Sequence, residues 1–327
     1  MPLLLTETDV RALLPMRDLI TAMERALRAY SAGDTVQPVR TTLDIGQDRN
    51  IFAVMPASDE TAHAMGAKLV TVFHHNHERG LPSHLATIVL FDHATGALRA
   101  LVDGRFITEA RTAAVSAVST KHLAREDAVV LAILGSGVQA HSHLRALRHV
   151  RPLREVRVWS RREESRSAFA ASMTKETGIP VVAMPDAARA VDGADIIVIA
   201  TASATPVIES AWVADGAHIC AVGACRANQR EMPTALVTRG RVFVDSRAGA
   251  MKEAGDLLIP INEGAFRADQ IAGELGDVLL ARVPGRRNDA DVTIFKSLGM
   301  AIEDIVAADL VVGRAEVRAV GQTFRIQ

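Results

Sequence analysis

The feature that most constrains the fold is a glycine-rich turn that directly follows an apolar run. The run is VVLAIL, residues 129–134, and the turn is Gly135-Ser136-Gly137-Val138-Gln139-Ala140. A helical stretch follows the turn, and strand-like and helix-like runs then alternate to about residue 245. This alternation predicts a parallel sheet with helices on both of its faces, and therefore an α/β fold.

The spacing of small residues in the turn has a physical meaning. The first glycine permits a tight turn, the second lets the backbone approach a pyrophosphate, and the alanine allows close helix packing. The helix N-terminus then stabilises the anion. A plain strand-to-helix turn is the alternative, but strand, loop, helix and next strand follow in the required order. The sequence therefore predicts a Rossmann domain that binds a dinucleotide at Gly135 to Gln139.

The next strand-like run, EVRVW, ends at Ser160-Arg161-Arg162. A site that prefers NAD usually has Asp or Glu at this position to hold the ribose 2′-hydroxyl, whereas Arg accommodates a 2′-phosphate. Arg also binds phosphate in a bidentate manner. These residues favour NADPH, with NADH as the alternative cofactor; a solvated turn is the structural alternative.

The first third of the chain has a different pattern of apolar residues and turn-forming residues. Residues 6–33 have helical spacing, and short β-rich runs separated by turn-formers occupy residues 39–102, which predicts a mostly antiparallel sheet. Thr108 is then expected to be the N-cap of an alanine-rich helix. We place the domain boundary near residue 125. After residue 250, a helix-like stretch (residues 295–312) precedes a short β-like tail (residues 318–326).

Composition excludes several classes of protein. The 327-residue chain has a net charge of −1 and only 4% aromatic residues, which argues against nucleic-acid binding. No apolar run approaches the ~18 residues that a membrane-spanning helix needs. The two cysteines, Cys220 and Cys225, form no disulfide framework, which suits a reducing, cytoplasmic location.

Three basic residues of the first domain lie at positions of particular interest: Arg111, Lys68 and Arg40. Arg111 falls in the predicted first helical turn, where the helix dipole disfavours a cation unless an anion lies nearby. Lys68 shares a strand face with apolar residues, so it points into a cleft or else is an edge-strand lysine. Arg40, alone, would be an ordinary exposed strand residue. Together they form a plausible carboxylate-binding group.

Histidines are the remaining candidates. Adjacent histidines in His74-His75-Asn76-His77 point to opposite faces of a strand and have no acidic or thiolate partner at ligand spacing, so we expect no metal site. His84 is a candidate for proton transfer or cofactor contact, with a hydrogen-bonded structural histidine as the alternative.

Several of these segments are similar to the ornithine cyclodeaminase and mu-crystallin family. The resemblance covers most of the chain and rests on QPVRTTLDI, ITEARTAAVSA, AILGSGVQA and MKEAGDL, and PSHLAT and VWSR resemble the mu-crystallin branch, whose members are NADPH-dependent ketimine reductases. It implies a homodimer in which each chain has a Rossmann domain, here residues 126–299. The second domain, for dimerisation and substrate binding, then contains residues 1–125 with about 300–327.

The resemblance also implies roles for individual residues. Arg40, Lys68 and Arg111 would contact substrate, with Glu253 on the substrate side. The cofactor contacts that it implies are Ser83, His84, Arg111, Ser136, Gly137, Val138, Gln139, Ser160, Arg161, Arg162, Thr201, Ser203 and Ser297.

One departure bears on the chemistry. Cyclodeaminases and alanine dehydrogenases of this family have an acid-base Asp where this chain has Cys225, and a thiol is a poor general base unless its pKa is depressed. We therefore expect reduction of small cyclic ketimine carboxylates, with Lys68, His84 or water as the proton source. Ornithine cyclodeamination and low-turnover, NADPH-dependent binding of a small molecule are the alternatives.

Overall fold

The computed structural model describes residues 1–46 and 50–325, and the chain forms two compact units. The first unit contains Met1–Arg111 and the chain from Gly299 onward, and the second contains Thr112–Leu298. The division falls inside the alanine-rich helix that the sequence assigns to the end of the first domain. Ile326, the last residue of the predicted β-like tail, and Gln327 lie outside the described residues.

The first unit combines a mainly antiparallel sheet with helices. Its strands are β1 (Leu3–Leu5), β2 (Thr35–Val36), β3 (Thr41–Ile45), β4 (Asn50–Asp59), β5 (Ala64–Val72), β6 (His84–Asp92), β7 (Leu98–Asp103) and, after the chain returns, β16 (Gln322–Thr323). Its helices are α1 (Glu7–Leu13), α2 (Met16–Ala32), the start of α3 (Arg105–Leu123), and α11 (Ala301–Arg318).

The strand order in this sheet is β16-β1-β7-β6-β5-β4-β2, and β3 also pairs with β4. Of the pairs among the described residues, only β1 with β7 is parallel. The predicted antiparallel sheet is therefore confirmed. Because β5 pairs with β4 on one side and β6 on the other, Lys68 is not an edge-strand lysine.

Two predicted helix boundaries are wrong. The helix expected over residues 6–33 is divided at Pro15, the N-cap of α2, because proline lacks the N–H that a continuous helix requires. The predicted N-cap Thr108 lies inside α3, which begins at Arg105. There its hydroxyl donates to the Gly104 carbonyl four residues earlier at 2.8 Å, a bond that lets threonine sit within a helix.

The second unit is a doubly wound parallel α/β domain, as predicted. Its strands are β8 (Val130–Leu134), β9 (Glu155–Trp159), β10 (Val181–Ala183), β11 (Ile196–Ile199), β12 (His218–Ala221), β13 (Arg241–Val244), β14 (Gly273–Glu274) and β15 (Thr293–Lys296). Its helices, besides the end of α3, are α4 (Val138–Leu147), α5 (Glu163–Thr177), α6 (Ala187–Val191), α7 (Thr234–Arg239), α8 (Arg247–Glu253), α9 (Gly255–Asn262) and α10 (Leu275–Leu279).

The strand order of this sheet positions the cofactor site. It runs β10-β9-β8-β11-β12-β15-β13-β14, and every pair is parallel. The chain leaves β8 in one direction to β9 and later returns on its other side to β11. The carboxyl ends of β8 and β11 therefore flank a topological switch point, where open α/β sheets bind ligands.

One strand of the sheet was missed by the sequence reading. Residues 293–296 form β15, whereas residues 295–312 had the pattern of one helix. The helix α11 begins only at Ala301, after Gly299, which has a left-handed φ of +82°. The four residues of β15 are all buried, and so short an apolar run has no periodicity that distinguishes strand from helix.

Within residues 1–46 and 50–325, no helix is long and apolar enough to cross a membrane.

Candidate active site

The glycine-rich turn forms one wall of a cavity in the second unit. The cavity has a volume of about 540 Å³ and lies at the carboxyl ends of β8, β9 and β11. Its lining consists of Gly135–Gln139, Trp159–Arg162, Ser165, Ala200–Ser203 and Val207. The predicted contacts at the turn, at Ser160–Arg162 and at Thr201 and Ser203 are therefore brought together here.

The two glycines of the turn serve different purposes. Gly135 has a left-handed φ of +121°, and a β-carbon there would overlap with the Ala200 carbonyl oxygen. A β-carbon on Gly137 would instead enter open space, and no side chain caps α4 at this N-cap residue. The first glycine lets the turn pack against the loop after β11, and the second leaves the N-terminus of α4 open to an anion.

The end of β9 has no carboxylate at the ribose position. Ser160 lies there, and its hydroxyl accepts a hydrogen bond from the Ser136 hydroxyl at 2.9 Å. Arg161 and Arg162 are exposed beside it, and Arg166, which the sequence reading did not single out, donates to the Ser160 carbonyl at 3.1 Å. The charge at this end of the cavity is therefore positive, which suits a phosphate.

Two buried polar atoms test whether a dinucleotide fits. Oε1 of Gln139, on the cavity wall, and Oγ of Ser297, directly after β15, have no hydrogen-bond partner in the structure. Buried polar atoms are nearly always hydrogen-bonded, so an unsatisfied atom calls for a partner. Both residues belong to the predicted cofactor contacts. The open helix N-terminus, the basic end and the unsatisfied Gln139 oxygen on the cavity wall together fit a dinucleotide.

The first unit contains a buried cluster of charged side chains. Nζ of Lys68, on β5, lies 2.5 Å from Oδ2 of Asp304. Nε of Arg111, on α3, lies 2.9 Å from Oδ1 of the same carboxylate, and its Nη1 lies 2.8 Å from Oε2 of Glu303. All four side chains are at most 4% exposed. The carboxylate of Asp304, in the first turn of α11, therefore binds both Lys68 and Arg111.

Arg40 joins this cluster through the turn before α11. Its Nη2 donates to the Gly299 carbonyl at 3.0 Å. The preceding segment is anchored to the same helix, because Oε1 of Gln37 accepts a hydrogen bond from the Ile302 N–H at 2.9 Å. The predicted triad of Arg40, Lys68 and Arg111 is thus brought together, and with Glu303 and Asp304 it carries three positive and two negative charges.

Burial and neighbouring charges shift the proton affinities in the cluster. Burial lowers the pKa of Lys68 from 10.5 to about 8, although Asp304 opposes the shift. Burial alone would raise the pKa of Asp304, but Arg111 and Lys68 outweigh it and the pKa falls. Burial, with the charges of Lys68 and Arg111, lowers the pKa of His84 from 6.5 to about 4. At neutral pH His84 is therefore uncharged, and Lys68 is close to its titration point.

The remaining predicted residues occupy separate positions. Ser83 is exposed immediately before β6, and His84 is the first residue of that strand. Cys225 is an exposed cysteine after β12 whose thiol donates to the Val222 carbonyl at 3.5 Å, and Glu253 is the last residue of α8. Cys225, Glu253 and Ser297 do not line the 540 Å³ cavity.

Several buried charged residues of the two units were missed by the sequence reading, among them Glu231, Asp256, Lys296, Glu303 and Asp304. The last two lie in the first turn of α11, where acidic residues are so common that they give no signal of their own. A lysine that ends the buried run TIFK was a usable signal, because an unpaired buried lysine is rare.

The histidine segment lies between β5 and β6, and the expected absence of a metal site there stays a prediction. His75 lies at the surface and its Nδ1 lies 2.8 Å from Oε1 of Glu78, and the side chain of His77 is outside the described part of the chain. Across the described residues, no group of three or more His, Cys, Asp or Glu side chains is placed to hold a metal ion.

Comparison with known proteins gives consistent matches over nearly the whole chain. A sequence model of the ornithine cyclodeaminase/mu-crystallin family matches residues 1–318. The chain is 37% identical over 321 residues to a Delta(1)-pyrroline-2-carboxylate reductase of Bacillus cereus, covering 98% of each chain. It is 41% identical over 296 residues to the ketimine reductase mu-crystallin of Rattus norvegicus, covering 90% of each.

A solved structure is equally similar. It is Thermococcus litoralis Delta(1)-pyrroline-2-carboxylate reductase in complex with NADH and L-proline, with a TM-score of 0.96 and 36% identity. The match covers 98% of the present chain and 100% of the other.

Proposed function

The chain belongs to the ornithine cyclodeaminase/mu-crystallin family, and from this premise we propose that it is an NAD(P)H-dependent oxidoreductase acting on C=N bonds. Its substrates are cyclic ketimine carboxylates: Δ1-pyrroline-2-carboxylate is reduced to L-proline and Δ1-piperideine-2-carboxylate to L-pipecolate. The three similar proteins named above, which are all ketimine or pyrroline-2-carboxylate reductases by name, support this assignment. The observation that carries it is the buried cluster around Asp304.

The cluster has the charge that a substrate carboxylate requires. Arg40, Lys68 and Arg111 contribute three positive charges, whereas Glu303 and Asp304 contribute two negative ones. One bound carboxylate balances the remaining charge, and buried charges are tolerated when they are paired in this way. The guanidinium groups orient the carboxylate and thereby fix the position of the adjacent imine carbon.

Lys68 is the residue best suited to supply a proton to the imine nitrogen. Its pKa of about 8 lies near neutral pH, where a group is an effective general acid. His84, with a pKa of about 4, is a neutral imidazole at neutral pH, so it does not donate a proton as an imidazolium. It serves instead as a neutral hydrogen-bonding group. The alkyl chain of Lys68 is held on the interior strand β5, so Asp304 sets the position of the ammonium.

The bound dinucleotide supplies the hydride that reduces the imine carbon. Gly135 to Gln139 would bind its pyrophosphate, and Thr201, Ser203 and Ser297 would contact it further along the sheet. The family resemblance implies that Ser83 and His84 are cofactor contacts as well. NADPH is the preferred form, because Ser160, Arg161 and Arg162 replace the carboxylate that would select NADH.

Cys225 argues against the cyclodeaminase alternative. Cyclodeamination needs an acid-base group where the family has Asp, and the exposed thiol of Cys225 replaces it. Imine reduction needs no strong base there, because the imine nitrogen is protonated rather than deprotonated. Cys225 and Glu253 then border the substrate.

We further propose that the protein is a cytoplasmic homodimer. Cys220 and Cys225 are not joined in a disulfide, which suits a reducing compartment. The apolar side chains of Val36, Leu43 and Ile45 on β2 and β3 are 69%, 52% and 39% exposed, and a second copy would cover them.

The test is a substrate panel with the purified protein. NADPH or NADH oxidation is followed with each of the two cyclic imines, and with pyruvate plus ammonia; ammonia release is followed with L-ornithine and NAD. Oxidation with the imines alone supports the proposal. Ammonia release from ornithine identifies a cyclodeaminase, and cofactor binding with no turnover of any substrate identifies a binding protein; either result refutes the proposal.

A further inference from the structure

One buried carboxylate in the second unit joins the loops that follow two neighbouring strands. Oε1 of Glu231 accepts hydrogen bonds from the N–H of Thr201 at 2.7 Å and from its hydroxyl at 2.6 Å. Oε2 accepts one from the N–H of Ala224 at 3.0 Å. Thr201 follows β11 and Ala224 follows β12, and these strands pair directly. Glu231 therefore sets the separation of the two loops.

The backbone of Glu231 is itself held by a buried carboxylate. Oδ1 of Asp256 accepts from the N–H groups of Glu231 and Met232 at 2.7 and 2.9 Å, and its Oδ2 lies 3.1 Å from Nζ of Lys296. The side chains of Glu231, Asp256 and Lys296 are fully buried. The charge of Lys296 offsets part of the charge of the two carboxylates, and buried charges are tolerated when they are paired or hydrogen-bonded.

The backbone leaves room for this arrangement. A β-carbon on Gly223 would lie 2.5 Å from both carboxylate oxygens of Glu231, so only glycine permits the carboxylate to reach Ala224. All three hydrogen bonds reach Glu231 as an acceptor, which is the role of the ionised form. Burial raises the pKa of Glu231, whereas the charge of Lys296 opposes the shift.

The strand order tells which half of a dinucleotide these loops meet. A dinucleotide in a doubly wound sheet straddles the switch point, with its pyrophosphate at the first glycine turn and its adenosine ribose at the end of the next strand. Here these positions are the ends of β8 and β9. The other half must extend over β11 and β12, on the opposite side of β8, which are the two strands that Glu231 joins.

We propose that Glu231 is a positioning residue for the nicotinamide half of the cofactor. By holding the loops after β11 and β12 at a fixed separation, it shapes the surface against which that half binds, with Asp256 and Lys296 keeping it in place. The inference rests on the proposed use of a nicotinamide cofactor, but not on the identity of the imine.

The test compares a whole cofactor with its adenosine half in the variant Glu231→Gln. Glutamine keeps one oxygen but presents N–H groups where the other oxygen accepted, so it can hold only one of the two loops. We expect Kd for NADPH, measured by nicotinamide fluorescence, to rise about tenfold, a change of about 1.4 kcal/mol. Kd for 2′,5′-ADP, measured by calorimetry, should change by less than about twofold, since that probe does not extend over β11 and β12.

A matched control is Asp195→Asn. Asp195 also accepts two backbone hydrogen bonds, from Val129 and Val130 at 2.9 Å, but at the amino-terminal end of the same sheet. Its substitution should lower the melting temperature and leave both dissociation constants unchanged. A general loss of stability is thereby separated from positioning.

If Glu231→Gln does not fold, Asp256→Asn keeps an acceptor for the N–H groups of Glu231 and Met232 but removes the negative charge beside Lys296. This variant should weaken NADPH about threefold, again without affecting 2′,5′-ADP. Equal weakening of both ligands, or no weakening of either, overturns the inference. Because these measurements use no imine, an inactive wild-type protein would refute the proposed reaction while leaving this result intact.

Discussion

Gly299 lies directly against the guanidinium of Arg111. Its φ is +82°, and a β-carbon at this position would overlap with Nη1, Nη2 and Cζ of Arg111. The same glycine uses its carbonyl to accept a hydrogen bond from Arg40. The turn before α11 therefore brings two of the three cations of the cluster together.

We predict that Gly299→Ala impairs substrate binding. The methyl group displaces Arg111 from Asp304, so KM for Δ1-pyrroline-2-carboxylate should rise at least tenfold, about 1.4 kcal/mol. The control is Gly33→Ala, which has a comparable φ of +91° but open space around the added β-carbon. If both variants change KM equally, backbone strain and not the displaced guanidinium is responsible.

The pKa of Lys68 predicts an alkaline limit to activity. Lys68 loses its charge as pH rises through about 8, which removes the excess positive charge of the cluster and the proposed proton donor. The value of kcat/KM should fall above this pH, approaching a tenfold decrease per pH unit. In Lys68→Arg, the guanidinium stays charged, so the decrease should move above pH 10 while kcat falls. An identical alkaline limb in both proteins would assign the titration to the imine and contradict this account.

The arginines after β9 predict cofactor preference. The double variant Arg161→Ala/Arg162→Ala should raise Kd for NADPH about tenfold or more, since each phosphate contact by a charged group is worth about 1.5–3 kcal/mol. Kd for NADH should change little, because NADH lacks the 2′-phosphate. Equal weakening of both cofactors would mean that the two arginines do not contact the phosphate.

Two buried histidines predict acid sensitivity. Burial lowers the pKa of His143 to about 4 and that of His218 to about 3, against 6.5 for an exposed histidine. The unfolded chain thus binds more protons below pH 6.5, and the free energy of unfolding should fall between pH 6.5 and 4. The loss is on the order of 3 kcal/mol for each histidine.

Urea titrations at pH 7, 5.5 and 4.5 measure this slope. His218→Asn keeps a partner for the Thr293 hydroxyl, which lies 2.9 Å from Nδ1 of His218, and should flatten the slope by the share of one histidine. An unchanged slope in this variant would show that carboxylates alone cause the acid sensitivity.

Local signals predicted the parts of the site that are continuous in the chain. The turn at Gly135–Gln139 and Ser160–Arg162 follow their strands directly, so their geometry depends on residues within a few positions of one another. The interior position of Lys68 was also readable, because the alternation along β5 places it on the buried face.

Long-range partners were not predictable in the same way. Asp304 lies 193 residues after Arg111, and Glu231 lies 30 residues after Thr201. Neither carboxylate differs from a surface residue until the sheets and α11 are assembled. The expectation that Arg111 lies in the first turn of its helix was wrong, because α3 begins at Arg105 and Arg111 is past that turn. The carboxylates beside Arg111 come from α11 and could not be seen in the sequence.

The measurement that tests the central claim most directly is the transfer of label from cofactor to product. Wild-type protein is incubated with NADPH carrying deuterium in both positions at C4 of the nicotinamide, and with Δ1-pyrroline-2-carboxylate, and the product is analysed by mass spectrometry. We predict L-proline with one deuterium on the α-carbon, in amounts equal to the NADPH oxidised. Proline without deuterium, or no proline while NADPH remains, would contradict the account.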